Sequence, residues 1–374
     1  MLYILQGFGE QGGTEAHVRT LTQCLADRLE AFIVFPLEDR ICLLAPDGSR
    51  RFWPGWQPQW PVTPWHDADC FRALDQVLQV VDPDLIHVQH FLNWPLGLID
   101  HLNGYPIPVV ISFHDYYPIN PVFTGQGVDE HFVPYPRCTS SHYSLEMFGT
   151  DLAAHLKQRS QKLAESIALA EARIVPSAFL KNALTQAIPA DFEVVPHGIQ
   201  SFEVDDSNRR RTPVDFCYIG SPFPQKGCDV LIKAFEASPV DARLHVFGGV
   251  SSNHVNDPNI RFHGPYRQAE LPDMLANVDI GVIPSLFAET FCLVLSEFWM
   301  AGIPVIASDL GALGDRLVDG ENGWTFAPGD SGELTRVLES CCHDQDWRSW
   351  TVDQPRSAER MAKDYLSIYR SLAG

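Results

Sequence analysis

At 374 residues the chain exceeds what one hydrophobic core comfortably serves, so two domains of ordinary size are expected. A hydrophobic fraction of 45% fits a globular protein, and a formal charge of −20 argues against a nucleic-acid partner, which needs clustered Lys and Arg. The same charge disfavours broad attachment to an acidic membrane and leaves only a local basic patch for peripheral contact. The sequence has no run of eighteen apolar residues, and its first residues read as a strand instead of a signal peptide, so a cytoplasmic protein is expected. Nine cysteines without a C-x-x-C predict neither a disulfide framework nor a zinc site.

Leu2 to Leu5 reads as a first strand, followed by Gly7-Phe8-Gly9-Glu10-Gln11-Gly12-Gly13 and a helix over Thr14 to Leu29. This is a literal G-x-G-x-x-G in the place of a dinucleotide fingerprint, with Glu38 or Asp39 in reach as a ribose ligand. Glycines after a first strand equally admit any phosphate or sugar to the backbone, so NAD stands as one option among several. A second strand is expected over Ala31 to Pro36. The next segment interleaves Trp53, Trp56, Trp60 and Trp65 with Pro54, Pro58, Pro61 and Pro64, which rules out a regular helix. Two readings remain open: an irregular loop whose tryptophans cover the sheet, or an acceptor platform of flat rings.

A helix is expected over Asp67 to Val81, with strands over Leu85 to Val88 and Val109 to Phe113. Asp82-Pro83-Asp84 is formally the D-x-D of metal-dependent transferases, but it sits at a strand entry with proline between the acids, so no metal site is expected. His114 falls at the C-terminal end of a buried strand, where open parallel sheets present their ligands. Tyr116 to Pro136, rich in Pro and Gly, reads as a mobile loop. Leu145 to Ala170 reads as a helix, Ile174 to Ser177 and Phe192 to Val195 as strands, and Ser201 to Pro213, with Arg209, Arg210 and Arg211, as a solvated linker.

The strand-helix alternation then repeats from Asp215 to Gly220 through Lys226 to Ala237, Leu244 to Phe247, Ile260 to His263, Ala269 to Ala276 and Asp279 to Ile283. The central stretch is Ser285 to Ser308, in which Glu289 and Glu297 bracket seven residues. With a helix beginning near Phe291, the N–H groups of Phe291, Cys292 and Leu293 form a ready anion site. Glu297 projects from the second turn, placed to accept hydrogen bonds from a diol. Eight helical residues rise about 12 Å, too far for a glycosidase pair, so the two acids are read as gripping different parts of one ligand. Helices over Asp330 to His343 and Ser357 to Leu372 complete the chain.

The order of the bracket, Pro284-Ser285 before it, Asp309 to Asp315 and Asp319 to Gly323 after it, resembles the donor segment of retaining glycosyltransferases of the GT-B fold, family four. GSPFPQKG, Gly220 to Gly227, resembles that family's G-R-x-x-x-x-K-G loop, with Lys226 at the diphosphate-binding lysine and Ser221 where the arginine stands. Cys292 likewise replaces a common glycine. Gly12-Gly13-Thr14-Glu15 resembles the family's first loop, whose paired glycines face the reaction centre. His114-Asp115 resembles its pair near the transferred sugar, and Pro196-His197-Gly198-Ile199 its exit from the first domain.

The resemblance implies two doubly wound Rossmann-like α/β domains facing across a cleft. The N-terminal, acceptor-side domain would span residues 1–200 and the donor-binding domain 212–354, with the terminal helix 355–374 packing back on the first. It implies transfer of a sugar, with retention, from a nucleoside diphosphate sugar to a hydroxyl of a glycan, glycolipid or small molecule, without a cofactor or metal. Catalytic roles would fall to His114, Glu289 and Lys226. Donor contacts would come from Gly12, Gly13, Gly220, Ser221, Lys226, Phe291, Cys292, Leu293 and Glu297. A front-face reaction is implied, in which the departing phosphate helps deprotonate the acceptor. The alternatives are a nucleotide-sugar epimerase of the same architecture, a nucleotide-sugar-binding protein without activity, and a dehydrogenase.

Overall fold

A computed structural model describes residues 1–9, 12–57, 63–121, 152–205, 212–248, 255 and 257–372. The chain divides into two compact units, one of Met1–Gly198 with Ala358–Gly374 and one of Ile199–Ser357. No helix among the described residues is long and apolar enough to cross a membrane.

The first unit contains strands β1 Leu2–Ile4, β2 Phe32–Leu37, β3 Arg40–Leu44, β4 Arg50–Pro54, β5 Ile86–Val88, β6 Val109–Ser112, β7 Ala172–Val175 and β8 Glu193–Val194. Its helices are α1 Gly13–Cys24, α2 Ala68–Val81, α3 Leu98–Asn103, α4 Leu152–Ala168 and α5 Ala178–Thr185. The sheet order is β4-β3-β2-β1-β5-β6-β7-β8, parallel except that β2, β3 and β4 run as an antiparallel meander. The second unit carries β9 Val214–Ile219, β10 Ala242–Phe247, β11 Ile260–Gly264, β12 Ile280–Ile283, β13 Val305–Ser308 and β14 Gly323–Phe326. Its helices are α6 Cys228–Ala237, α7 Leu271–Leu275, α8 Leu293–Met300, α9 Ala312–Arg316 and α10 Ser331–His343; α11, Ala358–Leu372, belongs to the first unit. All pairings in the β11-β10-β9-β12-β13-β14 sheet are parallel.

Local chemistry explains these elements. Asp67 caps α2 by accepting from the Cys70 N–H at 2.8 Å, and Cys70, Phe71, Leu74, Val77 and Leu78 form its buried stripe. The helix stops at Asp82 in a left-handed conformation, φ 44°, before a proline that cannot continue it. The first acid of the D-x-D is thus a helix terminator. In α11, Met361, Tyr365, Ile368 and Tyr369 face the core formed with Tyr3, Leu5, Val18 and Leu21, which fastens the C-terminal helix beside α1. In the second unit, Phe216, Leu231, Phe235 and Val282 fill one face of the sheet, and Leu295, Phe298, Trp299 and Val305 the other.

Three expectations change. The segment read from Trp53 as irregular begins inside β4, and the β3–β4 hairpin is absent from the sequence reading: its strands carry arginines and a terminal proline, edge features that mask their apolar pattern. Trp56 is 2% exposed and its Nε1 donates to the Asn93 carbonyl at 2.6 Å, so this ring is a structural member and not a platform. Tyr116 and Tyr117, assigned to a mobile loop, are buried in a turn closed by the Asn120 N–H to Tyr116 carbonyl bond. Trp60, the rest of that loop from residue 122 and Arg209 to Arg211 lie outside the described residues.

Candidate functional site

Each sheet has a topological switch point, and the predicted site residues gather at both. In the second unit the chain runs from β9 outward to β10 and β11, then crosses back to lay β12 on the other side of β9. The loops leaving β9 and β12 therefore meet at the C-terminal edge, at the point where open α/β sheets take their ligands. The first loop carries Gly220, Ser221 and Lys226, and the second carries Ser285, Glu289, Phe291 and Cys292.

Backbone contact locks the two loops together. Gly227 has φ 71°, and a Cβ there would lie 1.7 Å from the Pro284 carbonyl oxygen, so only glycine permits this approach. The Leu286 N–H donates to the Gln225 carbonyl at 2.7 Å. Lys226, on the short turn Pro224–Lys226, is thereby held beside Glu289: Nζ donates to Oε1 at 2.7 Å, and the buried Ser285 hydroxyl donates to the same oxygen at 2.8 Å. Glu289 is 6% exposed. Burial pushes Lys226 down, but the Glu289 charge, the field of Cys292 and the hydrogen bond to Glu289 together outweigh it and hold the ammonium above its usual range. The Glu289 backbone is fixed as well, its carbonyl accepting from the Ala312 N–H at 2.8 Å.

The helix start differs from expectation. Phe291 is not helical; α8 begins at Leu293, capped by Cys292 at φ 67°. A non-glycine residue there costs about 1–2 kcal/mol, which the surrounding contacts offset. Since residues 289–292 are not helical, the 12 Å rise assumed between the two acids does not apply. Burial, with the Glu289 charge second, pushes the Cys292 thiol up to about 12, so it stays protonated. Glu297 sits on α8 and is 7% exposed; burial raises it to about 7, and its Oε2 has no hydrogen-bond partner among the described residues. A buried carboxyl oxygen left in this state is poised for a ligand that supplies donors. Ser221 is half-buried, its carbonyl accepting from the Tyr218 hydroxyl at 3.3 Å. That hydroxyl would lie 2.3 Å from a Cβ at Gly220, which explains the glycine.

In the first unit the switch point lies between β1 and β5. Gly12 is the cap of α1 at φ 120°, and Gly13 is its first residue. The three atoms nearest a Gly12 Cβ belong to the Glu15 carboxylate, a side chain of the same helix, and not to the strand backbone that the third glycine of a dinucleotide fingerprint approaches. Glu38 and Asp39 lie on the β2–β3 hairpin, paired with Arg40 at 3.3 and 3.6 Å.

His114 follows β6 and joins a buried group that the sequence reading did not assemble. Its Nε2 lies 2.8 Å from Gln89 Oε1 and its Nδ1 3.3 Å from His197 Nε2. The amide oxygen accepts, so Nε2 carries the proton and Nδ1 accepts from His197. The Gln89 amide nitrogen lies over His87, 3.1 and 3.2 Å from its two ring nitrogens, and His87 contacts the Tyr369 hydroxyl at 2.7 Å and that of Ser112 at 2.9 Å. The His17 ring lies 5.0 Å from that of His114 and 4.4 Å from that of His197. Burial lowers His17 to about 3, and burial followed by neighbouring imidazoles holds His114 well below its usual value, so these rings are neutral. Sequence offered one clue to this group: His87, Gln89 and His90 crowd the end of a single strand.

Two α/β units, each with a mainly or wholly parallel sheet and candidate loops at its switch point, constitute the GT-B fold. The family follows from the sequence: the Glycosyltransferase Family 4 profile matches residues 11–201, half of the chain, and Glycosyl transferases group 1 matches residues 213–344. The chain belongs to glycosyltransferase family 4.

Among curated relatives, a glycogen synthase of Mycobacterium tuberculosis is 33% identical over 28% of this chain and 22% of its own length. A D-inositol 3-phosphate glycosyltransferase of Xylanimonas cellulosilytica is 24% identical over 74% of this chain and 68% of its own. The chain thus spans about a fifth of the glycogen synthase it matches. Anabaena HepE in complex with UDP and glucose superposes with a TM-score of 0.69 at 17% identity, covering 99% of both chains.

Proposed function

We propose that this protein transfers a sugar from a nucleoside diphosphate sugar to an acceptor hydroxyl, with retention at the anomeric carbon and without a metal. The observation that carries the reading is the coupling of Lys226 and Glu289 at 2.7 Å beside the start of α8, together with the Glu297 Oε2 that has no partner among the described residues. A cation and helix N–H groups suit a leaving diphosphate, a carboxylate beside them suits sugar hydroxyls, and Glu297 suits a ribose diol. The bond from the anomeric carbon to the phosphate oxygen breaks, the acceptor oxygen bonds to that carbon, and the acceptor proton leaves with the phosphate. His114 and Gly13 are assigned to the transferred sugar by family resemblance. A structure of HepE, which shares the fold, holds UDP and glucose.

The test is release of nucleoside diphosphate from a panel of nucleotide sugars, with and without hydroxyl acceptors, in the presence of EDTA. Release that depends on acceptor and survives chelation is expected. Interconversion of sugar epimers without release would favour an epimerase, and binding without turnover a non-catalytic protein. Loss with EDTA and recovery with magnesium or manganese would overturn metal independence.

A further inference from the structure

Arg316, the last residue of α9, reaches back beneath the start of α8. One guanidinium nitrogen donates to the carbonyls of Phe291 at 2.7 Å and Cys292 at 3.1 Å, and another donates to the Ser296 hydroxyl at 2.7 Å. The group lies 4.4 Å from the centre of the Phe291 ring and 5.1 Å from that of Trp299. Its three acceptors are neutral, so they solvate the charge without cancelling it; Asp353 adds only a weaker field. Burial lowers Arg316 to about 10, which leaves it charged at neutral pH.

A trans peptide is planar, with its C=O and N–H pointing in opposite directions. When Arg316 takes the carbonyls of Phe291 and Cys292, the N–H groups of the same two peptides, those of Cys292 and Leu293, turn the other way. These are two of the groups expected to form the anion site, and by position neither has a carbonyl partner one turn earlier in the helix. The grip also spans Cys292, whose φ of 67° a glycine would adopt without strain. A second observation marks this as a ligand site: Glu297, on the same helix, is only 7% exposed, and its Oε2 has no hydrogen-bond partner among the described residues.

We propose that Arg316 is a positioning residue for the donor diphosphate: it fixes the left-handed Cys292, aims the Cys292 and Leu293 N–H groups at the anion, and polarises both peptides from behind. The inference rests on the donor-site reading above. It also supplies a reason why the second unit carries serine at 221 and cysteine at 292, since a buried guanidinium behind the helix start adds positive field and replaces glycine's freedom with a clamp.

The test compares affinities of the full chain for UDP, GDP and ADP with those for the matching nucleosides, at two ionic strengths, alongside thermal unfolding. Arg316→Gln is expected to weaken binding of the preferred diphosphate by about tenfold, about 1.4 kcal/mol, and to leave nucleoside affinity unchanged. A merely structural loss would weaken both equally, and that outcome overturns the proposal. Arg316→Lys keeps the charge without the fork, and an intermediate loss of about threefold is expected; a diphosphate-to-nucleoside ratio equal to that of the unaltered chain would overturn the proposal even where Arg316→Gln does not fold. Adding Cys292→Gly to Arg316→Gln should fail to restore full affinity but recover part of it; no recovery would mean that the arginine does not act through the backbone. If the unaltered chain binds none of the diphosphates, the donor-site reading itself falls and this inference with it.

Discussion

Lys226 and Glu289, 63 positions apart in sequence, are each other's partner: the ammonium donates to Oε1 at 2.7 Å, and Ser285 donates to the same oxygen. A phosphate approaching Lys226 therefore competes with a carboxylate already in place. Either the lysine bridges both anions, using two of its three N–H donors, or the pair opens when donor arrives. In both cases the lysine's duties toward phosphate and toward Glu289 are coupled.

Lys226→Ala is accordingly expected to lower kcat/KM by more than about tenfold, over about 1.4 kcal/mol of transition-state stabilisation. It also strands the buried Glu289 carboxylate, which should destabilise the second unit by about 1–3 kcal/mol. Adding Glu289→Gln removes the stranded charge, so the double variant should regain stability and not activity. Denaturant unfolding combined with steady-state kinetics checks this, and a double variant no more stable than Lys226→Ala would count against the coupling.

Ser221 stands where the resemblance to the family's G-R-x-x-x-x-K-G loop places arginine. Ser221→Arg should tighten binding of nucleoside diphosphate at low salt and less so at high salt, because screening shortens the reach of an exposed charge. Titration at two ionic strengths decides it: no gain at low salt would mean that Lys226 and the α8 start, backed by Arg316, already satisfy the diphosphate.

Glu297 gives a pH signature. Its folded value of about 7 lies above the unfolded 4.5, so between these limits the folded state holds a proton that the unfolded state has released. Stability from this group is full below pH 4.5, falls as pH rises toward 7 and then levels, a change on the order of 3 kcal/mol. Glu297→Gln should flatten that slope in calorimetry. The same variant should weaken ribonucleotide binding by about 1.5–3 kcal/mol if the ionised carboxylate accepts from the ribose. Binding by the unaltered chain should then strengthen as pH rises through 7.

The buried histidines carry the opposite sign. His17, His87 and His114 are all held below 6.5, chiefly by burial, so the unfolded state binds protons that the folded state refuses. The first unit should lose stability as pH falls below 6.5, by about 1.4 kcal/mol per pH unit for each imidazole affected. His17→Phe, which keeps a ring packed against His114 and His197, should lessen the slope. Gln89→Leu should leave His114 Nε2–H without its acceptor and cost about 1–3 kcal/mol; nitrogen chemical shifts showing His114 protonated at Nδ1 in the unaltered chain would contradict the tautomer inferred from Gln89.

Hydrophobic periodicity and punctuation by Gly and Pro determined, from sequence, the alternating strands and helices of both units, since burial and backbone sterics act within a few residues. The loops after β6, β9 and β12 that carry His114, Lys226 and Glu289, and the place of Glu297 on the helix that follows, were equally legible. The β3–β4 hairpin was not: edge strands need only one apolar face, and arginine and proline there hide it. Nor was the start of α8, because the left-handed Cys292 depends on contacts from outside its own segment, with Arg316 twenty-four positions away holding its carbonyl. The pairing of Lys226 with Glu289, the packing of His17 against His114 and His197, and the Glu297 oxygen without a partner among the described residues belong to the tertiary structure alone. Each is set by where different strands end, and sequence distance carries no record of which strands become neighbours across a switch point.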